Sequence, residues 1–295
     1  MAFRLIAVVL SWNGRDDTLA CLASLEGVEA ICVDNGSGDG SVEAITDRFP
    51  DVELIATGVN LGFAGGNNVG IRRALERGAD WVLLVNNDAT IDPALPAALE
   101  RAAALRPDAG VLAPKVLFAE PPDLVWYAGG HFNLWLGYSG RQKGYRERDD
   151  GRYDASHDVG RPTGAAMAVS RAALERAGLL DERLFAYVED VEWGLRIREA
   201  GFALVFVPDA RVWHRVSAST GGSGSTTNLY YDTRNTIWVC ERHRPLPRGA
   251  RALRRGVVVG AHLLQAARHP ARLRAAAAVL RGWRDARRGR LGRMG

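Results

Sequence analysis

Two polar clusters in this chain carry the residue types that chemistry needs. Asn86-Asn87-Asp88 follows directly on an uncharged apolar run, residues 81–85. A carboxylate in that position suits a hard divalent cation, which takes oxygen ligands and can in turn hold a diphosphate. The second cluster, Glu189, Asp190 and Glu192, lies among Phe185, Tyr187 and Trp193, and a carboxylate beside aromatic rings can serve as a general base. Both clusters also have plain structural readings. Asn and Asp commonly end strands, and Asp88 or Asp92 can cap the helix that begins near Pro93. Acids in a first helical turn are favoured by the helix dipole whatever else they do.

Such clusters need a frame, and the first ninety residues supply a regular one. Residues 81–85 read as a strand buried on both faces, the pattern of an interior strand in a parallel sheet. Residues 3–10 read as a first strand ending in Ser11-Trp12-Asn13-Gly14, after which Asp16 or Asp17 can cap a helix that turns Leu19, Leu22 and Leu25 inward. A second strand, residues 30–33, ends in Asp34-Asn35-Gly36-Ser37-Gly38-Asp39-Gly40-Ser41, and a helix then runs to about Phe49. Residues 52–56 form a third strand. After it, the loop Asn60-Leu61-Gly62-Phe63-Ala64-Gly65-Gly66-Asn67-Asn68 leads into a helix ending at Gly78, and backbone amides at the helix start can cradle an anion. Alternating strands and helices imply a parallel sheet with right-handed crossovers. The polar strand ends then share the carboxyl edge, where open α/β sheets bind ligands. Glycines in these loops also suit plain connections, and no Gly-x-Gly-x-x-Gly follows the first strand.

Beyond Thr90 the pattern gives a helix over residues 93–105 and a strand over 110–118. Residues 120–153 lack helical period and include a mixed charge cluster at 141–150, so they read as an excursion of irregular chain and short strands over the site. Residues 163–169 return to strand pattern, with Ser170 capping a short helix to Gly178. Glu189, Asp190 and Glu192 open a helix with Val191, Leu195 and Ile197 facing inward. A strand follows at 202–207, then Trp213-His214. Residues 217–227 have the Gly/Ser/Thr composition of a mobile loop. Residues 251–267 and 271–283 are helical by composition and broken at Pro270.

The chain has 295 residues, enough for one large α/β domain or a domain plus an appendage, and its 47% hydrophobic and 24% charged content is ordinary for a soluble globular protein. Cys21, Cys32 and Cys240 lack metal-type spacing and read as buried thiols in a reducing compartment. The apolar run near Met1 is too short for a membrane span and has no small-residue cleavage site, so it reads as a strand rather than a signal peptide. Charge is unevenly distributed. Between Arg242 and Gly295 stand 15 arginines and one acid, Asp285, a net +14 that leaves the remainder at −10 within the overall +4. That basic end calls for an anionic partner, a membrane surface or nucleic acid.

In this order, the motifs resemble the inverting glycosyltransferases of family 2, which have the GT-A fold. The likeness runs over residues 3–235, and nearest is the bacterial branch that includes rhamnosyltransferases of cell-wall and polysaccharide assembly. By resemblance, Ser11, Trp12 and Asn13 lie against the nucleotide base, and Asp34 accepts a hydrogen bond from the imide nitrogen of uracil or thymine. Residues 60–68, with Asn60, Gly65 and Asn67, match the branch's loop near the nucleotide and diphosphate. Asn86, Asn87 and Asp88 occupy the place of the metal-binding Asp-x-Asp motif. Asp190 matches the catalytic base of an acidic pair, and His214 matches a histidine that completes the metal site in some members. The first carboxylate of the usual motif is Asn86 here, which leaves Asp88, His214 and the substrate diphosphate to hold the metal.

The resemblance therefore implies an α/β chain with a GT-A domain over residues 1–240, a mostly parallel Rossmann-like sheet flanked by helices, and a basic helical tail over 241–295. It implies Mg2+ or Mn2+ as cofactor and inverting transfer of a sugar, best matched by L-rhamnose from dTDP-rhamnose, to a lipid-linked or polysaccharide acceptor. Gly164, Glu189, Trp193 and Arg234 are expected on the acceptor side or in its support. The protein is expected in the cytoplasm, peripheral on the inner face of the plasma membrane through its tail, without a nucleic-acid partner. A UDP-hexose donor fits the same residues. A sugar nucleotidyltransferase would need a glycine-rich, Arg-containing loop after the first strand, which residues 11–17 do not supply convincingly, and a noncatalytic module with a nucleic-acid-binding tail would show steep salt dependence.

Overall fold

The uncharged runs form the sheet because a strand covered on both faces has no place for a charge. In a computed structural model that describes residues 3–139, 142–215 and 225–295, the chain begins with β1 (Leu5–Ser11), α1 (Arg15–Ser24), β2 (Glu29–Asp34), α2 (Ser41–Arg48), β3 (Glu53–Ala56), α3 (Gly62–Glu76) and β4 (Trp81–Asn86). A short β5 (Ala89–Ile91), α4 (Leu95–Leu105) and β6 (Ala109–Phe118) follow. The excursion holds β7 (Leu124–Tyr127), β8 (Phe132–Asn133), β9 (Tyr138–Ser139), β10 (Glu147–Arg148) and β11 (His157–Asp158). Then come β12 (Ala166–Ser170), α5 (Arg171–Ala177), a 3-10 turn (Glu182–Leu184), α6 (Glu189–Glu199) and β13 (Ala203–His214). The chain ends in α7 (Thr226–His243), α8 (Arg248–Ala266) and α9 (Arg272–Arg287).

The main sheet runs β10-β7-β6-β12-β4-β1-β2-β3, with β13 beside β6 and also paired to β5 and β11. β4, β1, β2 and β3 are mutually parallel. β12 enters antiparallel between β4 and β6. The register sets Ser11 opposite Asp34 and Leu10 opposite Asn86, so three polar strand ends lie side by side. Beneath them Ile6, Val8, Ile31, Leu83, Leu84 and Phe206 are buried in one continuous core.

Local expectations are corrected in two places and narrowed in a third. Neither Asp16 nor Asp17 caps α1. Instead Asp39 reaches across from the loop after β2 and accepts from Gly14 N (2.7 Å) and Arg15 N (3.0 Å). Burial opposes its charge, but these bonds and those from Ser41 outweigh it and pull the Asp39 carboxyl down to about 2. At the next junction, Asp92 makes the turn into α4 by accepting from Ala94 N at 2.8 Å, which leaves Asp88 for another partner. The expected 60–68 loop is mostly helix, because α3 already begins at Gly62. Glycine disfavours a helix locally, yet here it lets α3 press on the sheet: a Cβ on Gly66 would stand 2.3 Å from Leu10 Cδ1.

Gly62 has φ +78°, and a Cβ there would meet Phe185 O at 2.5 Å. Gly62→Ala should therefore lower stability by about 2–3 kcal/mol, combining left-handed strain with a backbone clash. Urea unfolding measures this, and an unchanged midpoint would contradict the close approach of residues 62 and 185.

Residues 216–224 hold most of the expected Gly/Ser/Thr loop and lie outside the described residues. Ser225 beyond them caps α7, its Oγ accepting from Asn228 N at 3.2 Å. The basic end packs on α7 through Leu229, Ala266, Ala275 and Val279. A second contact joins Ile237, Val258 and Ala286. Among the described residues, no helix is long and apolar enough to cross a membrane. The three cysteines are buried and unpaired, and burial above all pushes the Cys32 and Cys240 thiols up to about 12, which leaves them inert at neutral pH.

Candidate functional site

Asp34 closes β2 and is buried. Its Oδ2 accepts from Gly36 N and Ser37 N, both at 3.1 Å, while Oδ1 has no partner among the described residues. A buried carboxylate oxygen left open is costly unless a donor arrives. Beside it, Ser11 Oγ lies 2.9 Å from Thr18 Oγ1, and Asn87 Nδ2 donates to the same Thr18 oxygen at 3.0 Å. Ser11 and Asn87 thus lock β1, α1 and the end of β4 together. Trp12 and Asn13 are exposed at the lip. Asn13 Oδ1 accepts from Gly38 N at 2.9 Å, which fixes one loop to the other.

Amides at the start of α3 are less available than the sequence suggests. Leu61 N donates to Asn35 Oδ1 (2.9 Å), Gly62 N to Asn60 Oδ1 (2.8 Å) and Ala64 N to Phe185 O (3.3 Å). Asn60 thus turns the chain into α3. Gly65 and Asn67 are buried within α3, and Asn67 Nδ2 donates back to Phe63 O at 2.9 Å. The expected anion cradle is filled in large part by the protein's own acceptors.

After β4 the chain turns sharply so that β5 can pair with the end of β13, setting Ala89 opposite His214. This brings Asp88 Oδ1 to 3.0 Å from His214 Nε2, with both side chains buried. The His214 and Trp126 rings form a T-shaped pair with centroids 5.1 Å apart, and His214 Nδ1 is buried without a partner among the described residues. Asp88 O accepts from Arg215 N at 2.9 Å and Asn86 N donates to Ala165 O at 3.0 Å. Among the described residues no group of three or more His, Cys, Asp or Glu side chains gathers as a metal cage. One carboxylate and one imidazole do fit a divalent cation of the Mn2+ kind, with other positions left to phosphate and water.

Asp190 opens α6. Its Oδ2 accepts from Gly164 N at 2.9 Å and Oδ1 from Val191 N at 2.7 Å. Gly164 precedes Ala165, whose carbonyl holds Asn86, so two hydrogen bonds and one peptide unit tie Asp190 to the end of β4. Asp34 stands two strands away, about 10 Å at ordinary strand spacing. The turn before α6 holds Phe185, Tyr187 and Val188 at φ +65°, +65° and +69°, a conformation that side-chain-bearing residues keep only under restraint. The restraint comes from α7. Asn235 Nδ2 donates to Leu184 O, Ala186 O and Tyr187 O at 3.0, 2.9 and 2.7 Å, and Arg234 Nη2 donates to Leu184 O at 2.9 Å.

Arg234 is thus buried under the turn and flanked by Tyr230 and Tyr231, with its charge turned to support rather than to a surface. Trp193 is fully buried and donates Nε1 to Gly178 O at 2.8 Å, which anchors α6 from behind. Gly164 touches both Phe63 and Asp190, since a Cβ there would lie 3.3 Å from the Phe63 ring. The sequence reading missed Asp232 and Asn235. Only the spacing of Asp232, Arg234 and Asn235 within one aromatic segment signalled them.

Glu189 is buried and its Oε2 has no partner among the described residues. Burial first, then the charges of Asp190 and Asp232, push its carboxyl well above the usual range. Asp232 is raised as well, by burial and by Asp190. A protonated Glu189 relieves Asp190 of a like charge. A folded pKa above the unfolded value stabilises the fold at low pH, and that contribution is lost as pH rises from about 4.3 through the folded pKa. Glu189→Gln should therefore gain stability relative to the native chain as pH rises above about 4.3. Urea midpoints measure it, and a difference independent of pH would contradict a raised Glu189.

Comparison with known proteins bears on this arrangement. A family model described as glycosyltransferase like family 2 matches residues 23–240. An N-acetylglucosaminyl-diphospho-decaprenol L-rhamnosyltransferase of Mycobacterium tuberculosis is 31% identical over 278 residues, spanning 85% of this chain and 90% of its own. A dTDP-rhamnosyl transferase of Shigella flexneri is 24% identical and spans 83% of each chain. Among solved structures, GalNAc-T7 with UDP, GalNAc and Mn2+ superposes with a TM-score of 0.62 at 16% identity, over 86% of this chain and 54% of that one. This chain thus spans about half of GalNAc-T7. The mannosyltransferase PcManGT of Pyrobaculum calidifontis, in complex with GDP-Man and Mn2+, gives a TM-score of 0.54 at 16% identity, over 93% and 73%. These two likenesses are of fold, and the fold is GT-A.

Proposed function

Since the chain belongs to the glycosyltransferase-like family 2, we propose that it moves L-rhamnose from dTDP-rhamnose to a polyprenyl-diphosphate-linked acceptor, inverting the anomeric centre. Membership makes it a glycosyltransferase and closes the nucleotidyltransferase and noncatalytic readings. The donor sugar and the acceptor follow the rhamnosyltransferase relatives, and the acceptor's lipid puts the work at the inner face of a membrane.

The observation that carries this reading is the bond from Gly164 N to Asp190, which holds a candidate base beside the strand end that bears Asp88. Transfer must neutralise charge on the departing diphosphate and remove a proton from the incoming hydroxyl. Asp34 Oδ1, buried and open, accepts the imide N–H of thymine. Asp88 and His214 would hold a divalent cation, which when bound offsets diphosphate charge. Asp190 receives the acceptor's proton on its free lone pairs, opposite the leaving group, so attack inverts the centre. Glu189 supplies no charge of its own while protonated. Uracil presents the same imide edge, so a UDP-hexose remains the second donor to test.

A thermal-shift screen with Mn2+ tests for a pyrimidine donor. A nucleotide sugar at 100 times its dissociation constant adds about 2.7 kcal/mol of stability. The expected result is a shift with thymidine or uridine diphosphate sugars and none with GDP-mannose, lost in Asp34→Asn. No shift with any pyrimidine donor would overturn the proposal.

A further inference from the structure

α8 sends apolar side chains to solvent as well as to the core, while one of its arginines points inward. Arg254 is only 3% exposed, and its Nη1 donates to Leu134 O (3.0 Å) and Arg244 O (2.9 Å). Arg255 turns to Glu241, and Arg251 to Leu246 O. Meanwhile Leu253 is 72% exposed, Leu264 68% and Val257 40%. At 100° per residue these three fall on one stripe, together with exposed Ala250 and Ala261. A helix facing water presents its cations outward and its leucines inward, because exposed apolar surface is unfavourable and a buried guanidinium must be fully bonded.

The stripe has an apolar neighbour. The turn between β8 and β9 exposes Trp135 and Leu136 and is fastened to α8 twice. Leu134 O accepts from Arg254, and Gly137 is so close that a Cβ would stand 2.5 Å from Val258 Cγ2. Arg244 lies 3.6 Å over the Trp135 ring, a cation beside an amphipathic aromatic.

We propose that α8 and the Trp135-Leu136 turn insert into the headgroup boundary of an anionic lipid bilayer, α8 lying in the plane of the surface. This deepens the reading of a lipid-linked acceptor, although the face itself involves no residue of the sugar site. Charge selects the occupant. The segment from Arg242 to Gly295 holds 15 arginines and one acid, and that acid, Asp285, is buried against Tyr230 Oη at 2.9 Å. A second copy of so basic a surface would be repelled, whereas acidic headgroups pair with the arginines as the stripe enters the acyl region.

The test is co-flotation of the full chain with vesicles of phosphatidylcholine alone or with phosphatidylglycerol at 0.15 M salt. Binding is expected only with the anionic lipid, and Leu253→Ser/Leu264→Ser should weaken it at least about tenfold. That variant should keep the native melting temperature and donor thermal shift. Brominated acyl chains should quench tryptophan emission, with part of the quenching lost in Trp135→Phe. Binding abolished by salt but indifferent to the double substitution would overturn insertion. So would failure to bind, or a dimer in sedimentation that the substitution dissociates. Vesicle binding without any nucleotide-sugar shift would sink the proposed donor assignment and leave this face standing.

Discussion

Asp190→Asn is expected to lower the rate of sugar transfer by about two to four decades, the usual worth of a positioned general base, while nucleotide-sugar affinity survives. The structure explains why the two effects separate. Asp190 touches Gly164 N and Val191 N and none of the groups that line the Asp34 end. The substitution replaces one accepting oxygen with an amide, so one of those N–H groups loses its partner at a cost of about 1–3 kcal/mol. A melting curve therefore accompanies the kinetics. Lost turnover in a chain that still melts cooperatively and still shifts with donor identifies lost chemistry. Unchanged turnover would remove Asp190 from the base role.

Asp88→Ala should abolish the part of donor binding that depends on Mn2+. Neutralising a diphosphate is worth several kcal/mol, and at about 1.4 kcal/mol per decade the loss is two decades or more of affinity. Asp88 is one of the two side chains that the proposal gives to the cation, and among the described residues no group of three or more His, Cys, Asp or Glu side chains gathers to compensate. Titration calorimetry with and without chelator measures the effect. The variant should match the chelated native chain, and undiminished affinity would contradict the assignment.

The sheet was legible because its strands are uncharged runs separated by Gly, Asn and Asp. β1, β2, β3 and β4 fall within a residue or two of the sequence reading, and Ser170 caps α5 as expected. What failed to show was whatever distant contacts decide. A Gly-Gly pair reads as loop until β1 is seen lying against Gly66. Asp39 is twenty-five residues from the amide it caps. The segment around Asn235 gives no sign that its side chain will hold three carbonyls of a left-handed turn fifty residues upstream. The acids at 189 and 190 were legible as a pair, but Asp232 joins them only through the packing of α7. Composition likewise marked the tail as basic and helical, without indicating that Arg254 points inward and Leu253 outward.

The most direct test is a crystal structure with Mn2+ and an intact thymidine diphosphate sugar. The predicted result has the imide nitrogen against Asp34 Oδ1, the diphosphate beside Asp88 and His214, and the anomeric carbon on the side facing Asp190. A donor bound elsewhere, or one whose sugar points away from Asp190, would contradict the single shared edge on which the proposed reaction depends.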